Sequence, residues 1–150
     1  MKKSNRLVLV QTVTSVIVAA CFGDSVGQAY AAEKTVRVGS VTVHSTKANG
    51  GSWDTGEGAP DLFVEVRVKK FISALKSTSV KQNTYSTTFN EDTVTVSPGQ
   101  TLQISVWDKD LVSNDLVGSG EYVIDADDFN SGGVRLTCGR VRSLTLYLLR

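Results

Sequence analysis

The carboxylates of this chain are concentrated in two short segments. Residues 52–61 read SWDTGEGAPD and carry three of them, and residues 108–115 read DKDLVSND and carry three more. Carboxylates at this density repel one another unless a cation lies among them, and calcium takes about six to eight oxygen ligands from flexible loops. Five Asp residues could supply most of such a shell, with backbone carbonyls and water completing it: Asp54, Asp61, Asp108, Asp110 and Asp115. Each segment alone is explained as well by the preference of Asp for turns, whereas the two together favour a metal site.

The elements that would position these loops are strands. In residues 62–69, Val64, Val66 and Val68 share one face while Glu65 and Arg67 share the other, which predicts a strand with one face in a core and one in water. Similar runs separated by turn residues predict eight strands, at residues 36–45, 62–69, 77–82, 92–96, 101–107, 120–124, 134–137 and 143–149. A short helical turn is expected near residues 126–129. Short, regularly spaced strands without a long helical period predict an all-β, eight-stranded antiparallel β-sandwich.

Composition excludes several classes of function. With 150 residues, of which 41% are hydrophobic, the chain has the size of one packed domain. Its 16 basic and 15 acidic residues give a net charge of +1, which argues against a purely electrostatic nucleic-acid binder. Two Cys and one His exclude a zinc finger, a multi-bridge disulfide scaffold and a His-rich metal centre. Because no second base or nucleophile accompanies His44, a Ser-His-Asp arrangement is not supported, and the chain is not expected to be an enzyme.

The first 31 residues have the features of an export signal. Basic residues at positions 2, 3 and 6 precede an apolar run over residues 7–20, which is shorter than the roughly 20 apolar residues of a membrane span. The folded domain is therefore expected over residues 36–150.

Two cleavage sites compete in this signal. Residues 29–31 (AYA) have the small-x-small form, and cleavage there would start the mature chain at Ala32. Residues 18–21 (VAAC) resemble a bacterial lipobox, in which Cys21 is lipidated and becomes the first residue. Both predict an exported protein, secreted or periplasmic in the first case and anchored by lipid to the bacterial membrane in the second.

Three motifs resemble those of the C2 domain family, the calcium- and lipid-binding β-sandwiches. Asp54 followed by residues 61–66 (DLFVEV) is similar to the family's first loop and the strand after it, with Leu and Phe in place of the usual Pro and Tyr. Residues 88–91 (TFNE) resemble the family's Pro-x-Trp-Asn-Glu, with Phe for Trp. Residues 106–110 (VWDKD) followed by residues 114–118 (NDLVG) resemble its third loop.

This resemblance covers about residues 36–149 and implies a fold, a cofactor and a partner. One strand before the first loop and two after the third look like the family's type II, circularly permuted strand order. The cofactor implied is calcium, and the family's ligands fall on Asp54, Asp61, Asp108, Asp110 and Asp115. The function implied is calcium-dependent docking of a monomer to an anionic phospholipid membrane. The alternative is a calcium-stabilised extracellular adhesion or protein-interaction module that does not bind membranes.

Two further sets of residues bear on a membrane. Trp53, Leu111 and Val112 lie near the tips of the acidic loops, where they either pack at the loop base or enter a membrane. Trp107 is expected to pack beneath the third loop. Five basic residues on neighbouring strands could face anionic headgroups, as such faces do in the family, although a solvated outer face is the commoner arrangement: Arg67, Lys69, Lys70, Lys76 and Lys81.

Overall fold

Two four-stranded antiparallel sheets pack face to face in a computed structural model that describes residues 33–54 and 58–150. One sheet has the strand order β4-β1-β8-β7 and the other β3-β2-β5-β6. The elements are β1 (Lys34–Val43), β2 (Leu62–Val68), β3 (Lys76–Ser77), β4 (Ser86–Val96), β5 (Thr101–Asp108), β6 (Asp115–Val123), α1 (Ala126–Ser131), β7 (Gly133–Cys138) and β8 (Val141–Leu149). The predicted all-β, eight-stranded sandwich is confirmed; its assignment to the type II strand order stays a prediction.

The core between the sheets follows from the alternation in the sequence. Val64, Val66 and Val68 of β2 are buried as predicted, and every second residue of β5 from Leu102 to Asp108 is buried too. The opposing sheet contributes buried residues from β1 and β8, such as Val36 and Leu146. Each fully buried aliphatic side chain stabilises the fold by about 1.5–3 kcal/mol relative to exposure.

Several strand boundaries differ from those predicted. β6 begins at Asp115 instead of residue 120, because its glycines, which are depleted in strands, hide the strand pattern. β3 has only two residues, and β4 extends back to Ser86 through a polar stretch that pairs with β1. Asp108 and Asp115 consequently form a cross-strand pair at the ends of β5 and β6, and the third loop shortens to residues 109–114.

The sandwich has two distinct ends, which the course of β2 defines. β2 begins at Leu62 beside Asp108 and finishes at Val68 beside Leu102. The acidic end therefore carries the first loop, described over residues 44–54 and 58–61, the second loop, 78–85, and the third loop, 109–114, and the far end carries the loops 69–75 and 97–100 together with α1.

The proposed export signal and Cys21 fall within residues 1–32, outside the residues that the structure describes. None of the described helices is both long enough and apolar enough to cross a membrane.

Candidate metal centre

Asp108 is a carboxylate at a core position. It is the last residue of β5 and continues the inward-facing series of Ile104 and Val106, so that its side chain is fully buried. Its Oδ1 accepts a hydrogen bond from the backbone N–H of Asp61 at 2.7 Å. Its Oδ2 is buried without a hydrogen-bond partner among the described residues. A buried carboxylate oxygen left in this state costs free energy, which a cation would offset.

Three of the five predicted ligands come together at the Asp108 carboxylate. Asp54 from the first loop and Asp110 from the third each place a carboxylate oxygen near Asp108, and the three oxygens lie within 4.8 Å of one another. The backbone N–H of Asp110 donates to the Asn114 side chain at 3.3 Å, which holds the third loop in its turn. The structure thus brings together a carboxylate from the first loop, one from the third loop and that of Asp108 at the end of β5.

The pKa values of this cluster reflect burial and mutual repulsion. Burial, with further contributions from Asp54 and Asp110, raises the pKa of Asp108 to about 6, although the hydrogen bond from Asp61 acts in the opposite direction. Partial burial also raises the pKa of Asp54, with Asp61 and Asp110 acting in the same direction. Carboxylates whose ionised form is disfavoured in this way fit a divalent cation, because the cation stabilises that form.

Asp61 lies beside the cluster and is fixed by the second loop. Its Oδ1 accepts a hydrogen bond from the backbone N–H of Asn83 at 2.7 Å, and the Asn83 side chain accepts one from Ala59 at 3.0 Å. Asn83 has a φ of 49°, in the left-handed region that Asn adopts more readily than most residues. Asn83 thereby joins the first and second loops, a role that no motif in the sequence indicated.

Asp115, the fifth predicted ligand, is not part of the three-oxygen cluster. Its Oδ2 accepts a hydrogen bond from the ammonium group of Lys47, which lies in the first loop. That bond raises the pKa of Lys47, and the charges of Asp108 and Asp110 raise it further. Lys47 therefore places a positive charge of the protein itself at the edge of the acidic cluster.

The position of Lys47 is set by a local turn. Its backbone N–H donates to Gly51 at 2.8 Å and its carbonyl accepts from Gly50 at 3.0 Å, while Gly50 has a φ of 86° that favours glycine. A lysine within a loop rich in Gly and Asp was the available signal in the sequence, but its partner lies 68 positions away.

The apolar residues beside the cluster divide into buried and exposed ones. Trp53 is only 3% exposed, and its Nε1 donates to the carbonyl of His44 at 2.9 Å. The prediction that Trp53 contacts a membrane is therefore wrong, because the indole of Trp53 packs into the hydrophobic core. Leu111 and Val112 are fully exposed on the third loop.

The outer face of β2 does not form a basic patch. Arg67 donates to Gln103, and Lys69 pairs with Glu121 at 2.7 Å. Trp107 also lies on this face, where its Nε1 donates to Glu65 at 2.8 Å, and its packing beneath the third loop stays a prediction.

The three other basic residues of the predicted face have different surroundings. The ammonium of Lys81 lies 5.9 Å from the centre of the Phe89 ring. Lys70 and Lys76 are exposed and form no ion pair within the described part of the chain.

A family model for the C2 domain matches residues 39–138. Because this is more than half of the chain, the protein belongs to the C2 domain family. C2 domains are in general non-catalytic binding modules, and they typically bind calcium and phospholipid membranes. No curated protein matches the chain.

Solved structures agree with this fold. A C2 domain of plant Extended Synaptotagmin 1 is 20% identical with a TM-score of 0.61, over 79% of this chain and 93% of that one. Human GIVD cytosolic phospholipase A2 in complex with methyl gamma-linolenyl fluorophosphonate is 19% identical with a TM-score of 0.60, over 78% of this chain. The match spans only 16% of that phospholipase chain, so it indicates the fold and carries no activity to this protein.

Proposed function

We propose that this protein docks to anionic phospholipid membranes in a calcium-dependent manner through its acidic end. The observation that carries the proposal is the carboxylate of Asp108, which clusters with two further carboxylates and whose buried Oδ2 has no hydrogen-bond partner among the described residues. A buried acceptor without a donor is accounted for if a cation is bound there.

Four carboxylates and two apolar residues of the acidic end have a role in this proposal. Asp54, Asp108 and Asp110 would hold the ion, and Asp61 would contribute its second oxygen from the edge of the cluster. Bound calcium would reverse the sign of the charge at the loop tips, so that a lipid phosphate is attracted there. Leu111 and Val112 project from the third loop with no contact to lose, and they would enter the membrane interface.

Thermal unfolding tests the metal site. An ion present at 100 times its dissociation constant adds about 2.7 kcal/mol of stability, which corresponds to a rise in Tm of about 5–10 °C for a protein of this size. Asp110→Asn should remove most of the rise, whereas Asp127→Asn, on the exposed face of α1, should leave it intact. Equal melting curves in chelator and in millimolar calcium would show that the cluster binds no calcium.

Sedimentation with anionic vesicles tests the membrane function. Calcium should increase binding, added salt should weaken the electrostatic part of that increase, and Leu111→Ser with Val112→Ser should remove its salt-resistant part. A protein that binds calcium but shows no calcium-induced gain in vesicle binding would instead be a calcium-stabilised adhesion or interaction module.

We propose in addition that the chain is exported, either as a secreted or periplasmic protein or with a lipid on Cys21. The support is the charge and hydropathy pattern of residues 1–31. Intact mass of the exported product distinguishes an N-terminus at Ala32 from a lipidated Cys21, and Cys21→Ser should release the protein from the membrane fraction only in the second case. A product that retains Met1 contradicts both.

A further inference from the structure

The loop between β2 and β3 exposes apolar side chains that the fold does not use. Phe71 is 103% exposed and Ile72 is 80% exposed, and Leu75 in the same loop is half exposed. Single exposed apolar residues are ordinary, but an adjacent aromatic and aliphatic pair at one loop tip is not accounted for by packing. We name residues 69–75 the Phe71 loop. It lies at the far end of the sandwich, away from the acidic cluster.

The surroundings of the Phe71 loop are basic. Lys70 and Lys76 flank the apolar tip, are exposed, and form no ion pair among the residues that the structure describes. The sequence contains no acidic residue between Glu65 and Glu91.

One acidic group, Glu121 of β6, reaches the Phe71 loop and pairs with Lys69 at 2.7 Å, whereas those of α1 lie at the opposite edge of the sandwich. The Phe71 loop adjoins β3 and shares a surface cavity with Thr93 and Thr95 of β4. α1, with Asp125 and Asp127 at its N-terminus, connects β6 and packs against β7. Since β3 and β4 are edge strands on one side and β6 and β7 on the other, α1 does not neutralise Lys70 and Lys76, the two lysines beside the tip that form no ion pair among the described residues.

We propose that the Phe71 loop is a second membrane-docking site, which binds anionic phospholipid without calcium. Phe71 and Ile72 would enter the interface, and Lys70 and Lys76 would lie among the anionic headgroups. A lipid surface fits better than a protein groove, because Phe71 and Ile72 are almost wholly exposed to solvent and the two lysines that flank them without an ion pair are of one sign. The site uses none of the Asp cluster, so it and the calcium-dependent function can fail independently.

The test measures vesicle binding of the full-length chain in chelator, with vesicles of phosphatidylcholine and phosphatidylserine. Phe71→Ser with Ile72→Ser should lower the partition coefficient by at least about tenfold, and Lys70→Glu with Lys76→Glu by a similar factor at low salt. The matched control, Val80→Ser, removes an exposed apolar side chain of the loop 78–85 at the acidic end and should leave binding in chelator unchanged. All chains are checked for the same N-terminus by intact mass, so that any contribution of residues 1–32 is common to them.

A probe at the loop itself makes the result specific. Phe71→Trp should show emission that shifts to shorter wavelength when anionic vesicles are added in chelator, and quenching by brominated lipid. An unshifted emission overturns the proposal, and so does equal vesicle binding by the parent and the double serine variant. The proposal is also overturned if the double serine variant changes the oligomeric state in size-exclusion chromatography while its vesicle binding stays the same. In that case the tip is a contact between copies of the protein. Because all four substituted residues are exposed, the melting temperatures should be equal, which excludes misfolding as the cause.

Discussion

At the residue scale, the central feature is an acidic side chain at a position that the β5 pattern assigns to the core. Leu102, Ile104 and Val106 show which face of β5 is buried, and Asp108 is the next residue on that face. A charge at such a position reduces stability unless something compensates it. Conflicts between a local rule and the fold are expected at functional sites, which is why this residue marks the site more clearly than the exposed acids around it.

Asp108→Asn should have opposite effects without and with calcium. The folded-state pKa of about 6 lies above the ordinary value of 3.8, so the folded protein retains a proton that the unfolded chain releases between these values. The contribution of this retained proton to the free energy of unfolding is present at low pH and is lost as the pH rises through about 6. Asp108→Asn should not lose stability in this way as the pH rises, because the amide is uncharged and its oxygen can still accept a hydrogen bond from the backbone N–H of Asp61.

In chelator at pH 7, Asp108→Asn should therefore melt at a higher temperature than the parent, and the difference should shrink as the pH falls toward 4. In millimolar calcium the order should reverse, because the variant gains little from the ion. Thermal unfolding at several pH values measures both effects. A variant that is less stable than the parent in chelator at pH 7 contradicts the assignment of Asp108 as a strained carboxylate.

Lys47→Met should increase calcium affinity while it decreases stability in chelator. The bond to Asp115 is partly exposed, so its loss should cost about 0.5–1 kcal/mol. Removal of one positive charge near the cluster should tighten calcium binding by about fivefold at low salt. Isothermal titration measures the affinity, and Lys76→Met at the far end is the matched control. Unchanged affinity would show that Lys47 does not compete with the ion.

At the scale of elements, the close approach of β6 to the β7–β8 turn depends on glycine. A Cβ on Gly118 would lie 2.2 Å from the carbonyl oxygen of Cys138, a contact that requires backbone movement. A Cβ on Gly120, two positions further along β6, would lie 3.8 Å from the Cys138 side chain, an ordinary distance. The backbone N–H of Arg140 donates to Val117 at 2.8 Å and joins the two sheets at this point.

Gly118→Ala should consequently destabilise the protein by about 1–3 kcal/mol, the usual cost of overpacking. Gly120→Ala should have little effect by comparison, since the same methyl group meets only ordinary contact there. Denaturant unfolding of the two variants beside the parent measures the difference. Equal stabilities would show that β6 and the turn can separate without cost.

The strands could be predicted from sequence because alternation is a local signal, as Val64, Val66 and Val68 show. The pairing of Lys47 with Asp115 could not, because it joins the first loop to β6 through tertiary contact. Nor could the burial of Trp53, since an apolar residue in a loop can fold inward or project outward and its neighbours do not decide which. The structure brings carboxylates of the two acidic segments together, as the sequence indicated. Only the structure shows that three of the five predicted ligands cluster, whereas Asp61 is held by Asn83 and Asp115 by Lys47.

At the scale of the whole molecule, the two proposed membrane sites lie at opposite ends of the sandwich. β2 connects them with seven residues, which span roughly 20 Å at about 3.3 Å per residue. One end has exposed apolar residues above an acidic cluster, and the other has exposed apolar residues flanked by exposed lysines. A single flat membrane cannot contact both ends of a rigid sandwich at once, so the arrangement favours contact with two surfaces.

Clustering of anionic vesicles should therefore require calcium and both ends. We expect the parent protein to raise the turbidity of a vesicle suspension in calcium, and chelator to reverse the rise, because the acidic end then releases its vesicle. Phe71→Ser with Ile72→Ser should still bind vesicles in calcium but should not cluster them. Asp108→Asn should likewise bind without clustering, through the Phe71 loop alone. Dynamic light scattering during a calcium titration measures the effect, with sedimentation of the same samples to show that binding persists. If the serine variant clusters vesicles as well as the parent does, the link between vesicles comes from association of protein copies at the acidic end, and the two-ended arrangement has no part in it.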